Sequence, residues 1–323
     1  MNTHWTLNTH GDPLGTLNAF VQTIWEKAGL DALVVAAGDR RQAYLLEDPN
    51  QVAEINPFRP VMTANLARLL PETLDAQPDA RLGVLLRPCE MRALYEISDR
   101  GALQIDRLLT ICVDCLGTFP EDEFEWRSAR KGSEGGLTNE ALQFAPQGGI
   151  SAYRYRAACQ MCVSPGATDA DINIGVLGLP VRKNILVSVR DGKLNWKGLT
   201  NGTADLDCVD KHDAMLAKLV ERHTNTRERV INGLAEVLPP DVNALIDQFA
   251  SCGSCQSCMG VCPICAADQP KTGKDGRLER ESVVNWLVSC AGCGMCEQSC
   301  PKHLPLSIIF THIKEQIKKE LAM

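Results

Sequence analysis

The sequence predicts an α/β domain followed by a small, mainly helical, cysteine-rich domain, on three observations. Apolar runs of strand length alternate with helix-like runs through the first 200 residues, the pattern of a sheet with covered faces. From about residue 207 the chain turns helical and charged. Eight of its 15 cysteines then fall in two copies of one pattern between residues 252 and 300. At 323 residues, one large domain and a smaller one are expected. We divide the chain into residues 1–205, a helical linker at 206–250, and the cysteine-rich domain at 251–323.

Residues 16–28 place Leu17, Phe20, Val21, Ile24 and Trp25 at helical spacing, with Gly29 as the stop. Residues 30–38 read as a buried strand, and residues 63–70 as a helix closed by Pro71. Residues 81–88 form a second buried strand, residues 89–101 a helix stopped by Gly101, and residues 106–115 a third strand. Residues 127–151, rich in Gly, Ser and charge, are expected to form an exposed excursion. Residues 172–180 and 184–196 supply more strand, the second as a hairpin around Asp191-Gly192. Pro239-Pro240 breaks the charged helical stretch, and a short helix at 241–250 leads into the first cysteine run. Residues 282–289 form another short helix. The tail from Leu306 to Leu321 carries Ile308, Ile309, Ile313 and Ile317 on one stripe and is expected to pack over the cysteine-rich domain.

Composition narrows the function classes. Hydrophobic content of 45% and charged content of 23% are those of a soluble globular protein. No run approaches the roughly 20 apolar residues that span a bilayer. A net charge of −7 and a pI near 5.5 argue against nucleic acid as a partner. Residues 1–10 are polar, without a basic segment or an apolar stretch, so no secretory signal is expected. Fifteen cysteines without such a signal imply a reducing compartment. The cytoplasm is the expected location, compatible with docking on a membrane complex. The sequence holds no glycine-rich nucleotide loop and no H-E-x-x-H pair. A lone histidine such as His212 reads as a surface or capping residue.

Cys252, Cys255, Cys258 and Cys262 are followed by Pro263; Cys290, Cys293, Cys296 and Cys300 are followed by Pro301. Both copies read C-x2-C-x2-C-x3-C-P, the run that binds [4Fe–4S] clusters in bacterial-type ferredoxins, whose fourth cysteine ligates the other cluster. Cys252, Cys255 and Cys258 therefore pair with Cys300, and Cys290, Cys293 and Cys296 with Cys262. Zinc also takes four thiolates, but usually from two separated C-x2-C knuckles. Two triple runs with trailing prolines read as clusters, so a ferredoxin-type dicluster domain that moves electrons singly is expected.

Seven cysteines remain: Cys89, Cys112, Cys115, Cys159, Cys162, Cys208 and Cys265. Cys112/Cys115 and Cys159/Cys162 are C-x2-C pairs, and two such knuckles can hold a third metal site, zinc or [4Fe–4S] by spacing alone. The competing reading is that free cysteines sit in cores as small hydrophobes.

Residues 87–97 (RPCEMRALYEI), 113–119 (VDCLGTF) and 153–178 resemble the β-subunit family of the coenzyme F420-dependent hydrogenases and dehydrogenases. The resemblance runs through residues 15–200, and the ferredoxin-type module extends it to the end. It implies an α/β flavin-binding domain holding FAD, with a cluster beside it, a soluble hydride carrier (F420 or NAD(P)H), and partner subunits of a redox complex. Carried over by motif, Arg87, Pro88, Cys89, Glu90 and Arg92 would line the flavin or the adjoining cluster, and Asp171, Ile172 and Gly175 would form a second wall. Cys115, Cys159 and Cys162 would ligate the third [4Fe–4S] cluster, with Cys112 or Cys89 as fourth ligand; Cys112 completes a knuckle and is preferred. Many relatives carry a cluster motif ahead of the flavin domain, whereas here it lies behind. The expected function is a flavin and iron–sulfur electron-transfer subunit, with a flavin-free relay as the alternative.

Overall fold

The alternating apolar runs become a seven-stranded mixed sheet in the computed structural model, which describes residues 2–36, 43–149, 154–190, 206–252 and 255–321. The first half comprises β1 (Asn2–Asn8), α1 (Pro13–Ala28), β2 (Ala32–Ala36), β3 (Ala43–Leu46), α2 (Leu70–Ala76), β4 (Leu82–Leu86) and α3 (Pro88–Asp99). Next come β5 (Leu108–Val113), α4 (Glu121–Lys131), α5 (Glu134–Gln143), the short α6 (Ala157–Gln160), β6 (Ile172–Gly175) and β7 (Asn184–Arg190). The strands lie in the order β1-β7-β6-β5-β4-β2-β3. β2, β4, β5 and β6 run parallel, while β3, β7 and β1 join antiparallel at the flanks. The segments leaving Leu86, Val113 and Gly175 therefore emerge along one edge, where ligands of parallel sheets gather.

Strand alternation sends neighbouring side chains to opposite faces. Leu33, Val35, Leu109, Ile111 and Val113 pack with Leu17, Phe20 and Ile24 of α1. Val34, Leu82, Val84, Leu86 and Cys112 pack with Leu74, Met91, Leu94 and Ile97 of α2 and α3. Asp12 caps α1, accepting from Gly15 N at 2.9 Å, and Gly29 ends it at φ +60°, a conformation glycine adopts without a side-chain clash.

The second half is helical: α7 (Leu206–Gly233), α8 (Val242–Ala250), α9 (Ser257–Gly260), α10 (Pro263–Ala267), α11 (Arg280–Val288), α12 (Met295–Gln298) and α13 (Leu306–Leu321). The stretch expected as a linker acts as a strut. Cys208 and Leu219 of α7 are buried in the first core, while Val230, Ile231 and Leu234 pack against the third. That third core gathers Leu245, Ile246, Trp286, Leu287, Phe310 and the α13 stripe, with Ile309, Ile313 and Ile317 buried. Among the described residues no helix is long and apolar enough to cross a membrane.

Two expectations are corrected, and one strand was missed. Pro71 opens α2 rather than closing a helix, because the first helical turn needs no N–H from it. Residues 127–151 are largely helical: the end of α4 and the whole of α5 fall there, and Leu137, Ala141 and Leu142 are buried. β1 was not foreseen, its apolar Trp5 and Leu7 being interleaved with polar residues. The Asp191-Gly192 turn lies outside the described residues. β7 pairs with β6 on one side and β1 on the other.

His212 is buried, contrary to the surface reading, and its Nε2 lies 2.8 Å from Asp114 Oδ2. Burial alone would lower its pKa, but the Asp114 carboxylate, aided by Asp213 at 3.5 Å, raises it above the ordinary 6.5. A raised native pKa contributes stability that is full below the unfolded value and is lost as pH climbs through the native one. His212→Ala is expected to cost about 3 kcal/mol at pH 6. In urea titrations that cost should shrink above pH 7; an equal cost at pH 6 and pH 9 would refute the charged pair.

Candidate redox site

The loops at the sheet's carboxyl edge deliver the site. After β4, Pro88 starts α3 without needing a donor, which places Cys89 in the first turn. Glu90 is buried there, accepting from Leu66 N at 3.0 Å and Arg87 N at 2.9 Å. Burial raises its pKa, with Arg87 opposing. Arg87 donates through Nη2 to Arg59 O at 2.7 Å, and its buried Nη1 has no hydrogen-bond partner among the described residues.

After β5, Asp114 fixes the loop that carries Cys115. Its Oδ1 accepts from Ala167 N at 2.8 Å, and its Oδ2 from Val176 N at 2.8 Å and Leu177 N at 2.9 Å. Cys115 N donates to Pro165 O at 2.9 Å, tying the two C-x2-C loops together. Cys159 sits on α6, its Sγ 3.2 Å from Thr118 Oγ1 and 3.7 Å from Arg156 Nη2. Burial pushes the Cys159 thiol up, yet Arg156 and Thr118 outweigh it and the pKa falls. Arg92 reaches Ala291 O at 3.0 Å and Ser164 O at 2.9 Å, with Nη2 at 4.0 Å from Cys162 Sγ.

Arg87, Pro88, Cys89, Cys115, Cys159 and Cys162 line a cavity of about 370 Å³. Arg92 lies outside its wall and lines a neighbouring space with Cys162, Cys290 and Cys296. Cys112 is not in the wall of the 370 Å³ cavity either. It is 1% exposed in the core between β5 and α3, because it occupies the strand position facing that way. Of the two candidates for fourth ligand, spacing favours Cys112, whereas it is Cys89 that lines the cavity. Asp171, Ile172 and Gly175, expected to form a second wall, are not among the residues lining the cavities described around the cysteines. Asp171 accepts from Thr110 N at 2.9 Å and Thr110 Oγ1 at 2.7 Å, locking β6 to β5. Ile172 is wholly buried, and a Cβ on Gly175 would meet His212 Nε2 at 2.9 Å.

Beyond Arg87 lies a second cavity of about 550 Å³, lined by Asn56, Arg59, Met62, Thr63, Arg87 and Glu90 among others. Three buried polar atoms in this wall, Asn56 Oδ1, Arg59 Nε and Arg87 Nη1, lack hydrogen-bond partners among the described residues. Buried polar atoms ordinarily find partners, so the wall offers two guanidinium donors and an amide acceptor to a polar ligand, with Glu54, Glu90 and Glu134 also lining the space.

In the helical half, Cys252, Cys255, Cys258 and Cys300 share a third cavity, also about 370 Å³. Cys255 is exposed. Cys262 turns instead toward the other run. After burial, its charge is the strongest influence raising Cys290 and Cys293, the latter pushed up to about 12. Cys293 also lines the first-domain thiol cavity. Among the described residues no three His, Cys, Asp or Glu side chains converge on a single ion; the thiols surround larger spaces.

Sequence reading missed Cys265 and Trp286, which direct hydrogen bonds at the Cys262 sulfur, that of Trp286 Nε1 at 3.4 Å. Led by the Cys265 thiol, these bonds bring Cys262 down to about 6. It also missed Arg156 and Thr118, although Arg156 stands three residues before Cys159, one helical turn away.

No protein-family model matches the chain. It is 24% identical over 290 residues, 75% of this chain and 72% of the relative, to F420-dependent formate dehydrogenase 1 subunit beta of Methanococcus maripaludis. It is 20% identical over 324 residues, 85% of this chain and 81% of the relative, to F420-dependent formate dehydrogenase subunit beta of Methanocaldococcus jannaschii. Across most of both lengths, the chain is related to the β-subunit family of the F420-dependent hydrogenases and dehydrogenases, the family its motifs resemble.

Proposed function

We propose that this chain is a flavin and iron–sulfur electron-transfer subunit of a cytoplasmic, multi-subunit oxidoreductase. It joins a soluble hydride carrier, F420 or NAD(P)H, to a partner catalytic subunit of the formate dehydrogenase, hydrogenase or heterodisulfide-reductase type. One observation supports the reading: the candidate sites adjoin one another in series, the first three through shared residues and the last through neighbouring thiols. Met62 and Arg87 line both the 550 Å³ cavity and the first-domain thiol cavity. Cys293 belongs to that thiol cavity and to the run facing Cys262. Cys258 adds to the charge felt by Cys296, and its own cavity reaches the surface at Cys255.

In this reading Arg59 and Arg87 hold FAD in the larger cavity. Cys89, Cys115, Cys159 and Cys162 hold a third [4Fe–4S] cluster, and the C-terminal runs hold two more in the crossed pairing. A bound flavin takes two electrons from a hydride donor and releases them singly to clusters. Arg87 would offer its free N–H to the flavin while its backbone amide stays on Glu90. Glu90 keeps Leu66 and the start of α3 in place, so Arg87 and Cys89 stay in fixed relation across the shared wall. The Cys255 end, open to solvent, is the exit toward a partner subunit.

Anaerobic purification with flavin, iron and zinc quantified on one sample tests the reading. FAD with roughly twelve irons, for three [4Fe–4S] sites, is expected. About eight irons and no flavin would leave a flavin-free relay, and zinc in place of iron would overturn the reading. Cys89→Ser is expected to remove about four irons, whereas Cys112→Ser keeps them; the reverse result would restore Cys112 as the ligand. Arg87→Ala is expected to weaken flavin retention at least tenfold, with iron in the C-terminal runs unchanged. Unchanged flavin content and potential would refute this site for the flavin.

A further inference from the structure

Arg156 is 6% exposed, and among the described residues none of the polar atoms its guanidinium meets belongs to a carboxylate. Nε donates to Thr118 Oγ1 at 2.7 Å. Nη1 lies 3.6 Å from Met295 Sδ, and Nη2 lies 3.4 Å from Met62 Sδ and 3.7 Å from Cys159 Sγ. Glu90 lies near enough to feel the charge, but its Oε1 and Oε2 accept from the Leu66 and Arg87 amides. A buried cation without a counter-charge is strongly disfavoured, so this one implies negative charge beside it that the carboxylates do not supply.

Its position says where that charge belongs. Arg156 lines the first-domain thiol cavity together with Cys89, Cys159 and Cys293. Met295, which its Nη1 meets, stands between Cys293 and Cys296 in the next run. Cys159, Cys89 and Cys293 are the thiols whose charge it feels most. A four-thiolate cluster is an anion that gains one more negative charge on reduction, so a fixed cation beside it favours the reduced form and raises the potential.

We propose that Arg156 is a positioning residue shared by two cluster sites: a counter-charge that raises the potentials of both the Cys89/Cys115/Cys159/Cys162 site and the Cys262/Cys290/Cys293/Cys296 site. This rests on the cluster reading given above. Arg92 differs because its donors are spent mainly on the Ser164 and Ala291 carbonyls. Among the described residues Arg156 has no carbonyl among its guanidinium partners, which leaves its charge directed at the thiols.

The test is an EPR-monitored redox titration of the full anaerobic chain as wild type, Arg156→Gln and Arg156→Lys. Arg156→Gln is expected to lower both midpoints, by about a tenfold change in the oxidised-to-reduced ratio, or about 59 mV for one electron. The Cys252/Cys255/Cys258/Cys300 site should stay unchanged, and Arg156→Lys should remain near wild type. Unmoved midpoints in Arg156→Gln, or movement of one site alone, would overturn the shared counter-charge. Should Arg156→Gln lose the first-domain cluster, Arg156→Lys decides. Both clusters retained at wild-type midpoints support the charge, whereas their loss in Arg156→Lys shows that shape rather than charge is required. A wild-type chain without iron would instead remove the cluster reading itself, before any variant is compared.

Discussion

Four donors from three separate segments converge on the carboxylate of Asp114: the Ala167 amide, the adjoining Val176 and Leu177 amides, and the His212 ring. Each contact positions something different. The Ala167 amide anchors the loop following Cys159 and Cys162, while Val176 and Leu177 fix the exit from β6. His212 locks α7 onto the sheet, and α7 then runs on to the helical half, where Arg227 donates to Met161 O at 3.0 Å and pairs with Glu315 of α13 at 3.0 Å. Cys115, the residue after Asp114, inherits its place from this convergence. A buried carboxylate is stable only when its lone pairs are filled, so the sheet edge, the thiol loops and the strut must assemble together. The same contact explains Gly175: any side chain there would press on the His212 ring.

Around that anchor, the thiols and cations are arranged unevenly. Burial raises most of the inner thiols, whereas Cys159 is drawn down by Arg156 and Thr118. Cys262 is drawn down by neutral donors instead, the Cys265 thiol and the Trp286 N–H. Hydrogen bonds to sulfur, local charge and solvent exposure are the principal means by which a protein sets a cluster's potential. Three environments therefore follow one another along the series of sites. Burial, opposed at Cys159 by the Arg156 charge, governs the first-domain thiols, hydrogen bonding governs Cys262, and Cys255 is open to solvent. In the proposed reading such a sequence would separate the potentials of chemically identical clusters without altering their ligands.

What could be read from the sequence was whatever depends on local spacing. Repeated C-x2-C-x2-C runs fix their own geometry within a few residues, and an unbroken apolar run such as residues 82–86 can only be a strand covered on both faces. What escaped depends on contacts far apart in sequence. Cys112 and Cys115 look equivalent as a C-x2-C pair, but one is the last-but-one residue of a strand and the other lies beyond its end. Strand alternation then buries the first against α3 while the loop releases the second. His212 reads as an ordinary helical surface residue until its partner, 98 positions earlier, is known. Pro71 was misread because proline both ends and begins helices, and only the preceding turn decides between them.

The same long-range view supports the proposal of a two-to-one electron converter over a bare relay. A docking scaffold would be expected to close its core, covering or pairing each buried donor, because an unpartnered polar atom in the interior is destabilising. The wall beyond Arg87 does the opposite. It keeps Arg59 Nε, Arg87 Nη1 and Asn56 Oδ1 buried and without hydrogen-bond partners among the described residues, beside a 550 Å³ space. Glu90, which could have neutralised Arg87, is turned onto backbone amides, and Glu134 takes only the Nη2 of Arg59, at 2.6 Å. In the proposed reading these unpartnered groups would serve a flavin beside the thiol cavity, and a flavin would supply the step that clusters cannot perform, the acceptance of two electrons at once.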